Sequence, residues 1–160
     1  MGALGSAGFT GAPASSLRRV AGVLGLCHDP GVDREQFVRA TWATVAAGEF
    51  DALAAVLTPD ARWRAVEDGP WNCENRSQII SVMRENRARG ALAGVVEDVR
   101  EVGDRAIVAF RPEREGEGQW PLDDGVRYVV LSFDGGLVSE MKGCADRASA
   151  LAYAAADGGS

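Results

Sequence analysis

The sequence predicts an α+β fold: a cone-shaped, curved antiparallel or mixed sheet wrapped around three N-terminal helices, with a short C-terminal helix. Three observations predict it. Apolar residues recur at helical spacing from Phe37 to Met83 and then alternate from Val95 onward. Gly103-Asp104 and Asp134-Gly135-Gly136 join the alternating runs in pairs, as tight hairpin turns do. Gly48, Pro59 and Gly90 punctuate the helical part.

Each element has a local reason. Asp33 with Gln36 has the form of a capping box, so a first helix begins there. Phe37, Val38, Thr41, Trp42 and Val45 form its stripe, and Gly48 stops it. A second helix spans Asp51 to Leu57 and ends before Pro59, and Ala61 to Val66 reads as a strand. Asn75 and Gln78 repeat the capping pattern, and Ile79, Ile80 and Met83 mark the buried side of a third helix that ends at Gly90. Val95 to Val102, Arg105 to Phe110, Arg127 to Phe133 and Leu137 to Lys142 are four strands. The Glu- and Gly-rich stretch from Arg111 to Asp124 is a long hairpin loop, and Asp146 to Ala156 is a last, Ala-rich helix. Residues 1–30 are expected to be a mobile arm, because the stretch up to about Ser16 is Gly, Ala, Ser, Pro and Thr with little apolar bulk. The folded domain is placed at 31–156, with a tail at 157–160.

Composition bounds the function. Among 160 residues, 17 basic and 23 acidic side chains give a charge of −6, against nucleic acid or an anionic membrane as main partner. A single histidine, His28, excludes multi-histidine metal sites, and no metal or other cofactor is expected. Cys27, Cys73 and Cys144 are an odd count without Cys-x-x-Cys spacing, which suits a reducing, cytoplasmic setting. The apolar run Val20 to Leu26 after Arg18-Arg19 is short for an export signal and far short of the ~20 residues that span a bilayer.

A bent sheet over helices leaves an interior suited to a small, mostly apolar ligand. Trp42, Trp63 and Trp71, with Phe110 and Val130, are the expected lining, although Trp42 also reads as plain core. Glu67 and Asp68 are adjacent acids at the expected cavity mouth, where apolar walls would raise a carboxyl pKa and fit it for general-base work. The following Gly69-Pro70 equally fits a solvated turn. Glu140 and Lys142 share one strand face: inward they would pair, polarise a carbonyl and move a proton, and outward they are a surface pair. Tyr128 is a candidate oxyanion donor, and its neighbour Arg127 points to the opposite face. On strand parity, Val95, Val99, Ile107, Val129 and Leu131 are assigned to one face of the sheet. Val96, Val108, Phe110 and Val130 go to the other, so both faces need a cover. Cys73 and Cys144 read as buried thiols.

The run Phe37-Val38-Arg39-Ala40-Thr41-Trp42, then Ala46 through Leu53, then Leu57-Thr58-Pro59-Asp60-Ala61-Arg62-Trp63, carries a resemblance. So do the helix from Asn75 and the ending Phe133-Asp134-Gly135-Gly136-Leu137-Val138. Together they resemble the nuclear transport factor 2-like superfamily, and within it the SnoaL-like and ketosteroid-isomerase-like proteins, over Asp33 to about Tyr153. The resemblance implies a homodimer through the open sheet face and a small-molecule cavity whose members isomerise, cyclise, hydrate or only bind. It also marks departures. The isomerases' first-helix tyrosine falls on Thr41 and their aspartate base on Ala65. The acidic residue that cyclases and epoxide hydrolases carry near the end of the last strand falls on Lys142, with Glu140 two residues earlier. Two functions are therefore expected. One is a cofactor-independent isomerase, cyclase or hydrolase using Glu67 or Asp68, with Tyr128 or Lys142 stabilising charge. The other is a non-catalytic ligand-binding or dimerising module.

Overall fold

The computed structural model describes residues 33–113 and 125–156. The arm at 1–30 with His28 and Cys27, most of the 111–124 loop with Trp120, and the tail at 157–160 lie outside the described residues.

The elements run α1 (Arg34–Ala46), α2 (Phe50–Val56), β1 (Leu57–Arg64), α3 (Arg76–Ala88), β2 (Gly94–Val102), β3 (Arg105–Pro112), β4 (Arg127–Asp134), β5 (Leu137–Cys144) and α4 (Arg147–Ala155). The helices start where capping side chains take up free amides. The Asp33 carboxylate accepts from the Glu35 amide at 3.0 Å, one residue short of the box expected with Gln36. Asn75 accepts from the Gln78 amide at 2.9 Å while the Gln78 side chain accepts from the Glu74 amide at 2.7 Å, and Asp146 caps α4 through the Ser149 amide. Strand β1 starts four residues earlier than its pattern suggests, directly at the end of α2, and stops at Arg64. Its alternation is hidden by exposed Pro59 and Asp60, where the pairing register shifts.

The five strands form one sheet in the order β1-β5-β4-β3-β2, with β1 parallel to β5 and the other pairs antiparallel. The β4–β5 hairpin turns through Gly135 and Gly136 at φ +58° and +82°, a left-handed pair that glycine adopts without strain. One face packs on α1, α2 and α3, with Phe37, Val45, Leu57, Ile79, Val108, Leu131 and Met141 in its core. The other face lies under α4, whose Ala150 and Ala154 meet Ile107, Ala109, Tyr128 and Val130. Full burial of a side chain such as Leu57, Ile79 or Val130 is worth roughly 1.5–3 kcal/mol. Both faces thus have a cover within the chain.

Register corrects the parity assignment. A bulge between Val96 and Asp98 turns both Val96 and Val99 inward, so strict alternation fails along β2. Val129 and Leu131 pair opposite Val108 and Ala106, which places them on the inner face with Phe110. Val130 and Ile107 belong to the outer face.

Candidate functional site

The concave side of the sheet is the candidate site. Near one end of the inner face, α1 contributes Trp42, β3 Phe110 and β4 Arg127 and Val129, whereas Trp63 of β1 is level with Met141, Leu131 and Ala106 further along the strands. Phe110 is buried, whereas Trp42, Arg127 and Val129 are half-buried, so this end of the inner face is reached by solvent. The Trp42 and Phe110 rings are tilted at 52° with centroids 4.6 Å apart. Gly94 lets the β2 backbone close on that ring: a Cβ there would stand 2.6 Å from Phe110 Cζ and 2.2 Å from the Arg111 carbonyl oxygen.

Two polar groups interrupt this apolar wall. Arg127 pairs with Phe110 in the β3–β4 register, on the same pleat side as Val129 and Leu131. Burial lowers its pKa from the usual arginine range, and no acid among the described residues offsets that cost. The Trp42 indole nitrogen is buried without a hydrogen-bond partner. Thr41, at the place of an oxyanion-binding tyrosine, donates its hydroxyl to the Phe37 carbonyl at 2.8 Å and does not serve that role.

The other candidates lie elsewhere. Glu67, Asp68 and Trp71 are exposed on the turn after β1. Asp68 accepts from the Asn72 amide group at 3.2 Å, and the Asn72 side-chain oxygen accepts from the Ala65 amide at 2.9 Å, so this acid closes a turn. The Trp63–Cys73 bridge pins the base of the same loop. Tyr128, Val130, Glu140 and Lys142 are corrected from the interior to the outer face. The β4–β5 register sets them opposite Cys144, Lys142, Ser132 and Val130 there, under or beside α4. Glu140 and Lys142 share a face as expected, yet each is held by something else. Tyr153 Oη donates to Glu140, and Lys142 Nζ donates to the Ala65 carbonyl at 2.7 Å. Burial and the Glu140 carboxylate together push Tyr153 up to about 12. Arg105 donates to the Tyr153 carbonyl and lies over its ring at 5.2 Å, and Arg147 lies over the Tyr128 ring at 5.7 Å. A void of about 10 Å³ between α4 and the sheet has room for about one water. A second, open groove of about 340 Å³ runs along α3 beside α2 between Arg76 and Arg84. Among the described residues no cluster of His, Cys, Asp or Glu could hold a metal. Cys73 and Cys144 are free and buried, and burial raises both thiol pKa values. No helix among the described residues is long and apolar enough to cross a membrane.

The inner face of the strands is set by register, and the SnoaL-like domain family matches the sequence over residues 38–141, the span from α1 to β5. The chain belongs to the SnoaL-like family. Among solved structures, Bal32a from a soil-derived mobile gene cassette is 16% identical, with a TM-score of 0.56 over 80% of this chain and 89% of its own. A cystatin-fold protein of Novosphingobium aromaticivorans is 20% identical, with a TM-score of 0.55 over 71% of this chain and 98% of its own. A candidate polyketide cyclase of Sinorhizobium meliloti is 16% identical, with a TM-score of 0.52 over 66% and 92%. At these identities the likeness shows the fold. No curated protein matches the chain. For this SnoaL-like chain, sequence reasoning separated Arg127 from Tyr128 correctly but turned Tyr128 inward and Arg127 outward, and the register reverses both. The signal was the parity of Arg127 with Val129 and Leu131, two apolar residues that the helices cover.

Proposed function

We propose that this SnoaL-like protein binds a small apolar compound in the open end of its cone and does so without carboxylate catalysis. One observation carries the reading: among the described residues the single acid at an inward strand position is Glu101, opposite Ala106 at the exposed end of β2, where its carboxylate accepts from the Arg34 amide at 3.2 Å. Ala61, Trp63, Val96, Val99, Ala106, Val108, Phe110, Arg127, Val129, Leu131 and Met141 face inward, while Glu97, Asp98 and Glu101 are exposed and Glu140 is held by Tyr153. A general base must reach the proton that it abstracts, and Glu67 and Asp68 on their exposed turn do not face the inner wall. Family membership supports small-molecule binding.

Titration of the full chain with N-phenyl-1-naphthylamine, read by quenching of tryptophan emission, tests this. The expected result is saturable binding of one probe per chain that Val129→Glu abolishes. Absence of saturable binding, or binding that Val129→Glu leaves intact, overturns it. The homodimer expected by resemblance belongs to the same proposal: light scattering should give twice the chain mass, and a monomer at micromolar concentration removes it.

A further inference from the structure

We propose that the groove between α2 and α3 is a second binding site, separate from the inner face of the sheet, and that it takes a linear aliphatic compound with a carboxylate at each end. One stripe of α3 supplies most of its lining. Arg76, Ser77, Ile80, Ser81 and Arg84 follow one another at i, i+1, i+4, i+5 and i+8, with Ala54 of α2 beside them. At ~1.5 Å of rise per residue, Arg76 and Arg84 lie about 12 Å apart along the helix axis. Between them, half-buried Ile80 and Ala54 form an apolar floor, and exposed Ser77 and Ser81 bring hydroxyl groups to the rim. The volume of about 340 Å³ falls within the ~300–1,000 Å³ range of small-molecule sites.

Both guanidinium groups are positioned by α2. Arg76 Nη1 donates to the Ala54 and Leu57 carbonyls at 3.4 and 3.5 Å, at the C-terminal end of that helix. Arg84 lies over the Phe50 ring at the N-terminal end, 5.5 Å from its centroid. A guanidinium has more donors than either contact uses. The ring engages the face of Arg84 and leaves its edge, where a carboxylate docks with two parallel bonds. Among the described residues neither arginine has an ion pair, and no acid lines the groove. The stretch 76–89 carries Arg76, Arg84, Arg87 and Arg89 against Glu85 alone, in a chain whose formal charge is −6. Positive potential is therefore concentrated on this helix, where it attracts an anion that the rest of the surface repels. An ion pair at one exposed arginine is weak. Two carboxylates joined by a chain of matching length act together, because binding of the first holds the second near its partner. The methylenes then cover Ile80.

Calorimetric titration of the full chain with decanedioate, decanoate and butanedioate tests this. Decanoate keeps the aliphatic chain and loses one charge, whereas butanedioate keeps both charges and is too short to reach both arginines. Decanedioate should bind about tenfold more tightly than either. Arg84→Gln should bring its affinity to within about twofold of that of decanoate. Ser81→Glu, which sets a carboxylate at an exposed position in the groove, should lower the affinity by about tenfold or more with the melting temperature unchanged. Saturating N-phenyl-1-naphthylamine should leave decanedioate binding intact, since the groove shares no lining residue with the inner face. Equal affinities for decanedioate and either control overturn the proposal, as does a preference that survives both substitutions. Displacement by the naphthylamine, or no binding of decanedioate, overturns it as well, and none of these results bears on the apolar cleft.

Discussion

The two faces of one sheet treat charge in opposite ways. Outside, the charged groups that α4 and the β1 turn reach are tied to fixed partners. Glu140 is held by Tyr153, Lys142 by a backbone carbonyl, Arg105 by the end of α4, and Arg64 by Glu74 at 3.0 Å. Inside, half-buried Arg127 lies opposite Phe110 in the register and has no ion pair among the described residues. Tied charges fix a packing arrangement, as α4 fixes itself on the sheet.

Adjacent residues of β4 allow the sharpest attempt to break this contrast. Val130 is fully buried under α4, and Val129 beside it faces the half-open interior. Val130→Asp should destabilise strongly, since a carboxylate there is buried under α4 away from water and its cross-strand neighbour Lys142 already donates to the Ala65 carbonyl, a loss of several kcal/mol against a typical total of about 5–15. Val129→Asp should fold, with its effect on probe affinity. Circular dichroism melts of both variants check the pair, and similar melting temperatures would end the distinction between the faces.

A smaller effect sharpens the outer side. Tyr153→Phe removes the hydroxyl that Glu140 accepts from and should cost about 1 kcal/mol in urea unfolding. It should also change the alkaline limb. The folded pKa of Tyr153, about 12, is above the ordinary value of 10. The protonated form is therefore favoured by folding. Its contribution is fully present below pH 10 and is lost as the pH rises towards 12. The Phe variant should show a flatter fall in stability over that window.

The smallest effect is expected at the turn. Glu67→Gln and Asp68→Asn should each shift stability by less than about 0.5 kcal/mol and leave probe binding unchanged, because both side chains are exposed. A large loss of binding in either would put a carboxylate back in the cleft.

The fold was legible because its signals are local. The change of period after Gly90, the two glycine turns and the caps at Asp33 and Asn75 each act over a few residues, and the four β-hairpin strands fall within two residues of their expected limits. The site was less legible because it depends on which side of each strand the helices cover. Both sides of β3 and β4 are apolar, so their patterns could not say whether Val129 or Val130 looks into the cone. That is decided by α4, a short alanine-rich helix whose docking leaves no periodic mark on β4. The bulge after Val96 then broke the parity that would have carried the answer across β2. Glu67 and Asp68 drew attention as adjacent acids, but Asn72 turns that loop back on itself.

The parallel pairing of β1 with β5 sets a schedule for the nascent chain. Leu57 and Trp63 find their neighbours at Val138 and Met141, about eighty residues further on, whereas β2 through β5 meet by successive hairpins. The edge that β1 occupies therefore cannot close until nearly the whole domain has left the ribosome, and until then α1 to α3 have no complete sheet to rest on. Slow, late zippering of that edge, after rapid assembly of the hairpins, is the order of events that this topology imposes.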